Sequence, residues 1–183
     1  NTPEEIIGTS ASYLGVIFAG VPVVMAYNLF AAVLRALGDS KTPLRAMMIG
    51  AHPDDCDIST YSITTRLVRA GCTVRFVSMT RGNAGHQTLR GKELAAVRAH
   101  EAQASAALLG VTYEILPFDD GRLTPSIEAR ETLMRTIRRF QPDVIFTNRP
   151  CDYHPDHRAT GQLVQDCAYL LGVPAVCPDT PPL

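Results

Sequence analysis

The chain has 183 residues, enough for about one domain with a sizeable core. Its 17 lysines and arginines against 18 aspartates and glutamates exclude nucleic acid binding driven by bulk charge. Five cysteines (Cys56, Cys72, Cys151, Cys167, Cys177), odd in number and without a Cys-x-x-Cys pair, exclude a disulfide framework and a cysteine zinc site. They point to a reducing compartment.

The chain opens on Asn1, and it is expected to start inside a longer reading frame or to be processed. From Ile6 to Leu34 no residue is charged, and Tyr13 to Leu34 is mostly apolar. A helix over that stretch would be roughly 33 Å long, enough to cross a bilayer core of about 30 Å. Glu4 and Glu5 precede it, while Arg35, Lys41 and Arg45 come after it. That bias would anchor the chain in a membrane through residues 13–34, with the remainder of the chain in the cytoplasm. An acidic leading flank argues against a signal peptide. A buried helix of a soluble domain is the alternative. Tyr13-Leu14, Gly20, Pro22, Tyr27-Asn28 and Ala31 to Leu44 resemble one transmembrane helix and the adjoining cytoplasmic loop of multidrug and toxin extrusion transporters. The resemblance covers one helix of a family that uses twelve, so it implies no transport. The change at Leu44–Arg45 predicts a seam, with residues 1–44 a hydrophobic segment and 45–183 a second domain.

After the seam, strands and helices alternate. Ala46 to Ala51 is expected as a first strand, and Ser59 to Ala70 as a helix with Ile63, Leu67 and Val68 inward. Thr73 to Met79 comes next as a second strand and Arg81 to His86 as a glycine-rich loop. Gly91 to Leu109 reads as a long helix burying Leu94, Val97, Ala104 and Leu108, stopped by Gly110. Thr112 to Leu116 is a third strand. Thr124 is expected to cap a helix with Pro125 at its first position and with Leu133, Met134, Ile137 and Phe140 inward. Pro142 breaks that helix, Asp143 to Thr147 is a fourth strand, and a last helix runs from Pro155 to Leu171. The proline-rich end shows no closing element. Such alternation predicts an α/β domain, a Rossmann-like parallel sheet with helices on both faces.

Two polar clusters follow apolar strands, the first at once and the second after a short loop. His52, Asp54 and Asp55 lie in one turn, and Pro53 holds His52 extended so that the histidine and one aspartate can converge. In His154-Pro155-Asp156-His157, His154 ends a loop and His157 lies one helical turn on. A parallel sheet brings both clusters to one edge, where α/β folds place their sites. Two imidazoles and a carboxylate around an open position are what a catalytic zinc site needs, with a second carboxylate as base. The structural alternative is a pair of helix-start caps.

"GAHPDD" (Gly50 to Asp55) with "HPDH" (His154 to His157) resembles the LmbE/PIG-L family of zinc-dependent N-acetylglucosamine deacetylases. Further matching pieces are Met79 to His86, Arg98 to Val111, Phe118 to Leu123 and Gln141 to Pro150, all within residues 46–183. The resemblance implies zinc, or another divalent metal, on His52, Asp55 and His157, with Asp54 as general base. It implies His154, protonated, on the oxyanion or leaving amine, and Asp156 setting the tautomer of a histidine. Arg81 and Asp120 match sugar-contacting positions, so the expected partner is a small acetylated amino sugar. Arg98 and Glu101 read as a helix-surface pair and His100 as solvent-facing. His86 lies near the site, while Cys56, Cys151 and Cys167 read as packing. "STYSIT" stands after Asp57 where members carry paired glycines, and the family continues beyond Leu183, which predicts a C-terminally truncated domain. Two alternatives stay open: the same chemistry on a different small amide, and a non-catalytic sheet fragment tethered to a membrane.

Overall fold

The structure, a computed structural model, describes residues 44–183 together with Gly8, Ala11, Ser12, Tyr13, Gly15 and Phe18. The chain divides after Pro43. The described residues of the first unit are helical, and Ser12 Oγ donates to the Gly8 carbonyl at 3.0 Å. The expected span from Tyr13 to Leu34 otherwise lies outside the described residues. Among the described residues no helix is long and apolar enough to cross a membrane.

The second unit alternates strand and helix throughout: β1 (Arg45–Gly50), α1 (Asp55–Arg69), β2 (Thr73–Thr80), α2 (Gly91–Leu109), β3 (Thr112–Phe118), α3 (Ile127–Phe140), β4 (Val144–Thr147) and α4 (Pro155–Leu170). The strands form one four-stranded sheet in the order β3-β2-β1-β4. Every pairing is parallel, with Ile49 opposite Val77 on one side and Thr147 on the other. β1 is therefore central, and its near-continuous apolar run is what burial on both faces requires.

Successive β1 side chains point to opposite faces. Met47 and Ile49 join Leu133, Met134, Ile137 and Leu163 in one core, covered by α3 and α4. Ala46 and Met48 join Phe76, Cys56, Ala102 and Ala106 in the other, covered by α1 and α2. The expected α/β class is seen here, a parallel sheet with helices on both faces, but no membrane-spanning helix precedes it among the described residues.

Three local expectations differ. α1 begins at Asp55 rather than Ser59, because acidic Asp55 and Asp57 suit the positive end of a helix. It buries Cys56 and Thr64, while Ile63 is exposed. α2 buries Leu94, Ala102 and Ala106 rather than Val97, Ala104 and Leu108, and Leu108 is 90% exposed. Small apolar residues lie all round this helix, so its pattern does not mark one face. α3 starts at Ile127, with Ser126 Oγ accepting from Ala129 N at 3.1 Å; Ser126, not Thr124, is the cap.

The proline-rich end does have a closing element. Arg138 of α3 is buried, and its guanidinium donates to the carbonyls of Leu170, Leu171, Val173, Val176, Cys177 and Thr180. Five donors in a rigid fork, turned on irregular backbone, satisfy acceptors that no helix or strand would.

Candidate metal centre and active site

At the carboxyl end of β1 the chain turns sharply into α1. Gly50 permits it, since a Cβ there would lie 2.6 Å from the Asp55 Cβ. The Asp55 carboxylate folds back, accepting from Ala51 N at 2.8 Å and His52 N at 3.0 Å through Oδ2. The Ala51 carbonyl accepts from Thr80 N at 2.9 Å and Thr80 Oγ1 at 2.8 Å. From β3, the buried Tyr113 hydroxyl donates to the Pro53 carbonyl at 2.7 Å. On the far side, Gly82 adopts a left-handed φ of 62°, and a Cβ there would meet the Pro53 ring at 2.8 Å. The turn is thus held by β2, β3 and the loop after β2.

β4 lies beside β1, and α4 starts eight residues after β4 ends. His154 caps α4, its Nδ1 accepting from Asp156 N at 3.2 Å. That contact needs an unprotonated Nδ1, leaving Nε2 as the nitrogen that carries a proton. His157 lies in the first turn of α4. The two clusters meet as expected: the His52 ring centre is 4.7 Å from His154 and 5.2 Å from His157.

His52 Nδ1 and His157 Nε2 face each other at 3.3 Å. The Asp55 carboxylate stands beside both, with Oδ1 3.4 Å from His157 Nε2 and Oδ2 3.7 Å from His52 Nδ1. The outer nitrogens each meet carboxylates. His52 Nε2 is 3.1 Å from Asp120 Oδ1 and 3.3 Å from Asp156 Oδ2, and His157 Nδ1 is 3.1 Å from Asp152 Oδ1. Protons on the outer nitrogens turn two lone pairs and a carboxylate toward one point. Ligands about 2.0–2.1 Å from a tetrahedral zinc lie about 3.3–3.4 Å apart, so this donor set fits such an ion. Carboxylates behind metal-binding histidines are the usual outer support. Among the described residues the groupings that bring one donor atom from each member within 4.8 Å of the rest are His52 with His154 and His157, and His52 with Asp120 and Asp156. The second is less suited, because Asp156 already accepts from Gly121 N at 2.7 Å and Leu123 N at 3.2 Å.

The electrostatics arise from this crowding. Burial disfavours the His52 imidazolium, but Asp156, Asp55 and Asp120 outweigh it and push its pKa up to about 10. Burial likewise opposes charge on Asp55 and Asp156, yet His52 and backbone N–H groups hold both below the usual carboxylate range. The backbone N–H of His154, with Arg149 and His157, holds Asp152 down to about 2. Three carboxylates around His52 make a place built for positive charge.

A cavity of about 780 Å³ opens over these groups. It is lined by Asp54, Asp55, His52, His154, His157 and Asp120, among others. Asp54 is the N-cap of α1, yet its side chain makes no capping bond. A cap aspartate that caps nothing leaves its carboxylate free toward the cavity.

The expected sites fare unevenly. His52, Asp54, Asp55, His154, Asp156 and His157 come together. Asp156 holds His52, a histidine of the other cluster, rather than one of its own. Asp120 lines the cavity, with Oδ2 accepting from Ala84 N and Gly85 N. Arg81 lies 3.7 Å from Asp119 and is absent from the lining, which contains Arg98 and Arg149 instead. Arg98 does pair with Glu101, at 3.0 Å. His86 accepts from Leu89 N at 2.9 Å within its own loop. Cys56 is buried as expected, whereas Cys151 is exposed, and all five cysteines are free. Sequence reasoning missed Asp152 and Tyr113. The short Asp-x-His spacing before a helix start could have marked Asp152; nothing local marks Tyr113.

Comparison with known proteins agrees with this geometry. The family model described as PIG-L, GlcNAc-PI de-N-acetylase, matches residues 47–168. Diacetylchitobiose deacetylase of Thermococcus kodakarensis is 32% identical over 136 residues, covering 71% of this chain and 51% of that protein. The solved N,N'-diacetylchitobiose deacetylase from Pyrococcus horikoshii is 33% identical with a TM-score of 0.70, covering 84% of this chain and 62% of that one. The chain therefore spans about half to three-fifths of the length of these relatives. A separate similarity of 44 residues, 52% identical, is to the probable multidrug resistance protein YpnP of Bacillus subtilis, and covers 24% of this chain and 10% of that protein.

Proposed function

The chain belongs to the PIG-L (GlcNAc-PI de-N-acetylase) family, and from that premise we propose that it hydrolyses the N-acetyl amide of a small amino sugar, with zinc held by His52, Asp55 and His157. One observation carries the reading: His52 Nδ1 and His157 Nε2 converge at 3.3 Å beside Asp55, each with its outer nitrogen on a carboxylate. The Thermococcus and Pyrococcus relatives act on diacetylchitobiose, an acetylated amino sugar by its name. In the same reading residues 45–183 form the deacetylase domain and residues 1–44 a separate segment. The family match within 47–168 and the division after Pro43 support that boundary.

Bound there, a divalent ion supplies a Lewis acid for the acetyl carbonyl and lowers the pKa of water toward about 7. Asp54, idle as a cap and open to the cavity, takes the proton from the attacking water. His154 presents Nε2–H to the charge that develops on the carbonyl oxygen, and Asp54 passes the proton it took from water to the departing amine. This assigns His154 as a neutral donor, because its Nδ1 already accepts from Asp156 N. Asp156 and Asp152 keep His52 and His157 in the tautomers that turn lone pairs inward. Asp120 adds to the hold on His52 and, from the cavity wall, meets the sugar. Arg81 reaches substrate by exchanging Asp119 for it.

The test is acetate release from a panel of N-acetyl sugars by the full chain, alongside its metal content. Stoichiometric zinc and turnover abolished by chelator are expected. A chain that binds no zinc would overturn the reading in favour of a non-catalytic fragment. Turnover of acyclic N-acetyl amides but of no sugar would move it to the same chemistry on another amide.

A further inference from the structure

Tyr153 stands immediately before the second cluster and is 81% exposed, although it is among the largest apolar groups lining the cavity. Its ring centre lies 5.5 Å from that of His157 and 5.9 Å from that of His154, with the ring planes 72° and 85° apart. The ring thus stands across both imidazoles, next to the converging ligands, with most of its surface free.

Its backbone is fixed from both sides. The preceding residue, Asp152, has a side chain 6% exposed that accepts from Arg149 Nε at 2.8 Å and meets His157 Nδ1. The next residue, His154, caps α4. Arg158 Nη1 donates to the carbonyls of Asp152 at 2.7 Å and Tyr153 at 3.1 Å. A loop aromatic without a job would be expected to fold down onto apolar surface, since leaving such a ring in water forgoes its burial energy. Here a rigid stem holds it up beside the reacting position.

We propose that Tyr153 is a specificity-determining residue, a stacking platform that receives the pyranose ring of the substrate and sets the acetamido group over the converging donors. The chemistry is that of an aromatic face, whose quadrupole is negative, against the slightly positive C–H edges on one side of a sugar ring. The same cavity is lined by Asp54, Asp120 and Arg98, polar groups that suit the hydroxyls. One aromatic platform among polar groups is how a pocket distinguishes a cyclic sugar from an acyclic amide of equal reactivity. This inference rests on the deacetylase reading.

The experiment compares the full chain with Tyr153→Phe, Tyr153→Leu and Tyr153→Ala. Each is assayed for kcat and KM on N-acetylglucosamine and on N-acetylethanolamine, and for N-acetylglucosamine binding by ligand-observed NMR. Zinc content and circular dichroism report on folding. The ratio of kcat/KM for sugar over acyclic amide should fall about tenfold in the Ala and Leu variants, mostly through KM, and hold in Phe. Sugar binding should weaken in parallel. An unchanged ratio in Ala, or a Leu variant that keeps it, would overturn the platform while leaving the deacetylase reading intact. Loss in Phe as well would transfer the role to the hydroxyl and likewise overturn it. A wild-type chain that neither binds nor hydrolyses the sugar would take down both readings together.

Discussion

The two segments that meet at the site are built on opposite plans. Between β1 and α1 there are four residues, and several side chains clamp the main chain of the turn: Asp55 on Ala51 N and His52 N, Thr80 on the Ala51 carbonyl, Tyr113 on the Pro53 carbonyl. Between β4 and α4 the chain makes a longer excursion, and one buried side chain, Asp152, gathers Arg149, His154 N and His157. The first plan places ligands by sterics and the second by electrostatics. The first should therefore fail by unfolding and the second by losing metal while the fold stands.

The largest expected effect tests the chemistry that joins the two halves. Asp54→Asn should lower kcat by about 10²–10⁴-fold with zinc content unchanged, measured by acetate release and metal analysis. Retained activity would remove Asp54 as the base. Next is Gly50→Ala, which must displace the Asp55 Cβ that would lie 2.6 Å from the new methyl. It should cost about 1–3 kcal/mol in urea unfolding and lose metal at the same time. Asp152→Asn should weaken zinc about 10–100-fold in competition with a chelator, with the unfolding midpoint of the metal-free chain nearly unmoved. If the two mutants instead behave alike, the contrast between the segments is wrong.

Tyr113→Phe removes the hydroxyl from the Pro53 carbonyl and should cost about 1–3 kcal/mol by leaving a buried acceptor unpaired. A further test is the pH dependence. The folded pKa of His52, about 10, lies above its ordinary 6.5, so its stabilising contribution is complete below the lower value. It is lost as pH rises through about 10. With chelator present, Tm should therefore decline from near neutral toward pH 10, and His52→Gln should flatten that slope. Added zinc displaces the same proton and should flatten it too.

The contrast between the segments also governs what the sequence reveals. β1 and its turn are legible because an apolar run ending in Gly50-Ala51-His52-Pro53-Asp54-Asp55 is local. His154 and His157 are legible for the same reason. Asp152 and Tyr113 are not, since each acts through partners that only the fold supplies, Tyr113 reaching Pro53 across sixty positions. Asp156 is visible in the motif, but its true partner, His52, lies 104 residues away. The position of α2 is legible and its inner face is not, because alanines on every side carry no directional signal. The helix start at Asp55 is obscured by the polar residues that make the site.

Arg138 bears on the order in which the domain can be completed. Its guanidinium needs carbonyls from Leu170 through Thr180, more than thirty residues after it in the chain. As the chain emerges from a ribosome, α3 arrives with that charge and has nothing yet to give it to. The layer formed by α3 and α4 therefore cannot close in step with synthesis. It must wait until the proline-rich tail is out, and that tail, devoid of helix or strand, acts as the latch of its half of the sheet.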